Sequence, residues 1–107
     1  MPDYNGYPTE KELEIIRQWN PAKDSVFDLL EHIRSCWNWA DERFVLTGKR
    51  VLKLYLSTGG WSGNEDIITA LHNTFFWFLF WIKSTRGGHY WFRIPAPGKY
   101  PYRDRNA

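Results

Sequence analysis

A chain of 107 residues, 43% of them hydrophobic, has the size and composition of one packed domain, and a net charge of +2 is too small to mark a nucleic-acid protein by charge alone. Its single cysteine, Cys36, excludes an internal disulfide and most cysteine-based metal sites; a buried structural thiol and a reducing compartment fit it better. The unusual quantity is aromatic content, 19%: seven Trp, six Tyr and seven Phe exceed what a small core hides, so some are expected to face a partner.

Residues 1–8 read as a loose arm of turn formers, without the basic-then-apolar pattern of a secretory leader. Thr9 and Glu12 make a capping box, after which Leu13, Ile16 and Trp19 share one helical face until Asn20-Pro21 ends the helix. A second helix starts near Asp24 or Ser25, with Val26, Leu29, Leu30, Ile33 and Trp37 as its buried stripe. Both helices are expected to pack against a sheet. The period then changes to two. Residues 43–47 and 50–57 are β-rich runs joined by Gly48-Lys49, and Leu52, Leu54 and Leu56 alternate with Val51, Lys53 and Tyr55.

A long third helix is predicted from about residues 62–64 to residue 84, because Ile68, Leu71, Phe75, Phe78, Leu79 and Ile82 keep helical spacing. Phe76, Trp77, Phe80 and Trp81 fill its remaining directions. The run 75–82 is therefore expected to be wrapped by the first two helices or by another subunit, which implies a homo-oligomer; it is too short to cross a bilayer. Arg86-Gly87-Gly88 stops this helix, residues 89–94 form a third strand, and residues 95–107 form a Pro-rich basic tail with Lys99, Arg103 and Arg105. The expectation is an α+β domain spanning residues 9–94, in the order α-α-β-β-α-β. Its three-stranded, mainly antiparallel sheet has the third strand beside the first and packs on the long aromatic helix. A helix of ~20 residues is ~30 Å long. The two glycine-rich turns would then sit at opposite ends of a subunit, as two sites.

Three places could carry chemistry. The segment Thr58-Gly59-Gly60-Trp61-Ser62-Gly63-Asn64-Glu65 leads into a helix N-terminus, where free N–H groups suit an anion and Trp61 could stack on a base. The same residues suit a plain turn, with Ser62 or Asn64 as cap and Glu65-Asp66 against the helix dipole. It is neither a P-loop nor G-x-G-x-x-G, and no cofactor motif is present. In the second place, Arg86 and His89 flank Gly87-Gly88 and could clamp an anion or bond the last helix carbonyls. The third is the outward sheet face. Tyr90, Phe92 and Ile94 point inward, and His89, Trp91 and Arg93 point outward beside Lys53 and Tyr55, an arrangement that suits single-stranded nucleic acid unless the first two helices cover it. His32, His72 and His89 show no metal spacing, and no nucleophile–base pair can be placed.

Leu56-Ser57-Thr58-Gly59-Gly60-Trp61-Ser62-Gly63-Asn64-Glu65, together with Arg86-Gly87-Gly88-His89-Tyr90-Trp91, resembles small proteins encoded by bacteriophages and prophages, over roughly residues 9–94. The resemblance implies an accessory protein acting in bacterial cytoplasm and supplies no reaction. Two function classes follow: a non-enzymatic binder of an anionic small molecule, such as a nucleotide signal of bacterial immunity, or a protein–protein inhibitor of a host or defence factor.

Overall fold

The computed structural model describes residues 7–95, and the expectations for residues 1–6 and 96–107 lie outside the described residues. Helix α1 (Glu10–Arg17) opens on the capping box: Thr9 Oγ1 accepts from the Glu12 N–H at 3.2 Å and Glu12 Oε1 from the Thr9 N–H at 2.8 Å. Helix α2 (Val26–Cys36) starts at Ser25, whose hydroxyl accepts from the Phe27 and Asp28 N–H groups. A short α3 (Ala40–Arg43), absent from the sequence reading, leads into β1 (Phe44–Thr47), which turns back into β2 (Val51–Ser57). Then come α4 (Ser62–His72), α5 (Phe75–Phe80), β3 (Trp81–Thr85) and β4 (His89–Pro95).

The α+β class holds, and the detail differs. The sheet has four strands in the order β1-β2-β4-β3, every neighbour antiparallel. The last strand lies beside β2 and not beside β1, with Leu54 opposite Phe92 and Tyr55 opposite Trp91.

The predicted long helix is two helices and a strand. The break falls at Asn73-Thr74. Thr74 donates its N–H (3.0 Å) and its hydroxyl (2.7 Å) to the Leu71 carbonyl, and Asn73 Nδ2 reaches the Thr69 carbonyl. Side chains that satisfy the carbonyls of a last turn end a helix there. After one and a half turns of α5, the aromatic and β-branched run goes over to β3, where such residues fit the pleat.

The break also reverses which residues face inward. Phe76 and Phe80 are buried, whereas Phe75 (60% exposed), Phe78 (80%), Leu79 and Ile82 lie in solvent. The spacing drawn through Ile68 and Leu71 is thus correct only as far as the break. The predicted wrapping of residues 75–82 on several sides is not found within the subunit.

The core lies between the leucine face of the sheet and the helices. Leu54, Leu56, Phe92 and Ile94 from the sheet meet Ile16, Ile33, Ile67, Leu71 and Phe76, all at most 1% exposed. Phe76 is central: its ring meets Trp19, Phe80 and Phe92 at centroid distances of 5.2–6.1 Å. The buried hydrophobic residues of the helices all belong to this one cluster, so the helices form a single layer and the second face of the sheet stays uncovered.

A candidate ligand face beside two joined glycine turns

Because β3 and β4 form a hairpin, the second glycine turn is carried back beside the first. The Thr58 N–H donates to the Gly88 carbonyl at 2.9 Å. The two turns are one locus within one subunit, which corrects the expectation of two sites at opposite ends. Arg86 lies in the exposed β3–β4 turn, and strand β3 separates it from the end of α5 at Phe80, so it is not the helix stop the sequence suggests.

The glycines have local reasons. Gly88 has φ +81, and a Cβ there would sit 2.1 Å from Thr58 Oγ1. Gly63 is buried beneath the Trp61 indole, whose Nε1 would lie 2.6 Å from an added Cβ. Trp61, with Tyr7 against its ring at 4.6 Å and Pro8 alongside Gly63, therefore packs over the first turn of α4.

Of the expected caps, neither Ser62 nor Asn64 serves. The N-cap position is Trp61, and Ser62 instead donates its hydroxyl to Tyr7 at 3.1 Å. Asn64 is fully buried: its Oδ1 accepts the Asn38 N–H at 2.8 Å and its Nδ2 donates to the Asn38 and Thr58 carbonyls. Its three hydrogen bonds tie α4 to the α2–α3 and β2–α4 connections, and its burial keeps it from a ligand. Glu65 is exposed in the first turn of α4. At Gly60 alone, of the glycines in these two turns, an added Cβ would meet nothing within 4 Å, although its φ is +76. The segment therefore builds a junction, and the open surface lies next to it.

That surface is the second face of the sheet. His89, Trp91 and Arg93 point outward as the alternation predicts, and helices α1 and α2 do not cover them. Cross-strand rows define the face: Ser57 opposite His89 and then Thr85; Val45, Tyr55, Trp91 and Lys83; Thr47, Lys53 and Arg93. Tyr55 and His89 share a hydrogen bond of 2.7 Å between hydroxyl and Nδ1, with ring planes 11° apart, so they form one nearly flat plate. Trp91 lies 5.1 Å from Tyr55, and the Lys83 ammonium sits 4.6 Å above the Trp91 ring.

At the end of the first row, Arg43 donates to Ser57 Oγ at 3.1 Å, and its guanidinium lies over Trp39 at 5.8 Å. A Cβ at Gly59 would be 2.9 Å from that guanidinium, so Gly59 gives the arginine its place. Trp39 is 55% exposed and held at φ +58, a left-handed conformation that costs a bulky residue about 1–2 kcal/mol.

The strands of this face are one-sided in charge, whereas Trp39 shares its pocket with Asp41 and Glu42. Residues 44–60 and 81–95 contain no Asp or Glu, yet hold Lys49, Arg50, Lys53, Lys83, Arg86 and Arg93. Among the described residues, none of these cations, nor Arg43, pairs with a carboxylate. The nearest acids in the chain are Asp41 and Glu42 of α3, and Asp41 is engaged by Arg34 at 2.8 Å. Sequence reasoning found Lys53, Tyr55, Trp91 and Arg93 but missed Trp39, Arg43 and Lys83.

Among the described residues, the contacts of Cys36, His32 and His72 assemble no reactive pair. Cys36 lies 3.9 Å from His32 Nε2, but that nitrogen is 3.0 Å from the Glu12 carbonyl, an acceptor, and so carries its proton. It cannot take one from the thiol. Burial pushes the Cys36 thiol above its ordinary range, which keeps it protonated. His72 packs on Trp77 at 4.7 Å, and among the described residues no group of three His, Cys, Asp or Glu side chains could hold a metal ion. No helix among them is long and apolar enough to cross a membrane. Comparison of the chain with protein-family models, with curated proteins and with solved structures finds no match.

Proposed function

We propose that this protein is a non-catalytic binder of an anionic ligand of the nucleotide class, held on the open sheet face beside the glycine junction. One observation carries the reading: cations that have no carboxylate partner among the described residues alternate with partly exposed aromatic rings on a surface no helix covers. Rings offer stacking to a base, and unpaired cations offer charge to phosphate. The glycine segment contributes by placing Arg43 and by leaving Gly60 open, more than through the N-terminus of α4. The resemblance to phage-encoded proteins puts nucleotide immune signals among the ligands to test.

The test is thermal melting with mononucleotides, cyclic and linear dinucleotides and oligonucleotides. A ligand at a hundred times its Kd adds about 2.7 kcal/mol of stability, several degrees for a domain this size. The gain should vanish in the exposed double variant Lys53→Glu, Arg93→Glu. A panel in which no anion raises the melting temperature sinks the proposal.

A second reading, a protein-binding module or homo-oligomer, rests on the exposed apolar residues Phe75, Phe78, Leu79, Trp81 and Ile82 around α5 and the edge strand β3. Light scattering at high micromolar concentration tests the oligomer; a monomer there removes it.

A further inference from the structure

We infer that the ligand is single-stranded nucleic acid, lying across two separate aromatic groups with a backbone phosphate over Arg43. The inference rests on the anionic-ligand reading above and narrows it. The first group is the plate of Tyr55 and His89 with Trp91 beside it. The second is Trp39, exposed and edge-on to Trp61 at 6.3 Å. Arg43 stands between them: its guanidinium is over Trp39, and it donates to Ser57, the cross-strand partner of His89.

A mononucleotide has one base and can occupy one group. A strand occupies both, and the phosphate between its bases falls at Arg43, which reaches from Trp39 to Ser57 beside His89. Beyond the plate the same strand meets Lys83, Lys53 and Arg93, all exposed and all without a carboxylate partner among the described residues. Adjacent strands are ~4.8 Å apart, so β2 to β3 spans ~10 Å, room for about two bases on the sheet and one more on Trp39. A duplex would not use this surface in the same way. Its bases are already stacked on one another, which would leave the rings idle and engage the cations alone.

Fluorescence anisotropy with labelled thymidine and uridine oligomers, from the mononucleotide to about twelve nucleotides, tests this. Affinity should rise with length and level off near four nucleotides, with log Kd changing by about 2–3 per decade of salt if four cations meet phosphates. Trp39→Ala, at an exposed position, and Trp91→Leu should each weaken the oligomer by about tenfold or more. Circular dichroism checks the folding of Trp91→Leu, and Trp39→Ala decides if that variant is unstable. Equal affinity for mononucleotide and oligomer overturns the strand while leaving the anionic-ligand reading in place. Equal affinity for a duplex of the same length overturns the stacking. If no nucleotide or oligomer binds at about 50 mM salt, both fall.

Discussion

Leu54 and Tyr55 are neighbours on β2, and Phe92 and Trp91 are neighbours on β4, yet each pair divides between two unlike surfaces. Leu54 and Phe92 face each other under the helices, each 1% exposed. Tyr55 and Trp91 face each other on the open side, half-buried by their own neighbours and next to Lys53, Arg93 and Lys83. A period of two thus places a core and the proposed recognition surface on the same strands, one residue apart. The sheet needs only one face for stability. The other is free to keep rings and charges that a core would not accept.

The contrast can be tested from its strongest point downward. Phe76→Ala should cost about 3–5 kcal/mol in denaturant unfolding, whereas Phe78→Ala, from the same short helix, should stay within about 0.5 kcal/mol. Comparable losses would mean that α5 is oriented differently. Leu54→Ala should cost about 2–5 kcal/mol with ligand contacts intact. Tyr55→Ala should cost less stability and reduce binding instead. A binding loss confined to the leucine variant would reverse the assignment of the two faces. At the junction, Gly88→Ala must displace Thr58 as well as adopt a left-handed backbone, so it should lose more than Gly60→Ala, for which about 1–2 kcal/mol is expected from backbone strain alone. Paired thermal melts check the order. The smallest signal is chemical. With its thiol buried and protonated, Cys36 should resist iodoacetamide at pH 8 in the folded protein and react once denaturant is added. Mass spectrometry showing prompt labelling of the folded protein would contradict the burial.

Local signals were legible in the sequence. The Thr9–Glu12 box, the Ser25 cap, the buried stripes of α1 and α2 and the alternation of β2 and β4 each depend on residues within a turn or a pleat of one another. The aromatic run was not. Where almost every residue is large and apolar, any period fits, and the deciding residues were the polar pair Asn73-Thr74, whose side chains bond carbonyls of the preceding turn. Misreading that pair hid β3, and with it the hairpin that brings Gly88 to Thr58. Half of the candidate face was legible for the same reason as the core, through alternation. Arg43 read as the start of a strand and Lys83 as part of a helix, while Trp39 lay between elements. For Lys83 a signal was present: residues 44–60 and 81–95 contain lysine and arginine and no acid, whereas nothing of the kind marked Trp39 or Arg43.

That segregation gives the molecule an orientation before it touches anything. A net charge of +2 suggests weak attraction to a polyanion, but the strands and their turns hold Lys49, Arg50, Lys53, Lys83, Arg86 and Arg93 and no acid, whereas most of the acids lie on the helices. A body charged this way has a dipole across its thickness. In the field of the proposed phosphate-chain ligand it would turn its sheet forward and its helices away, so that encounters would begin with the candidate face foremost and their rate would depend on ionic strength.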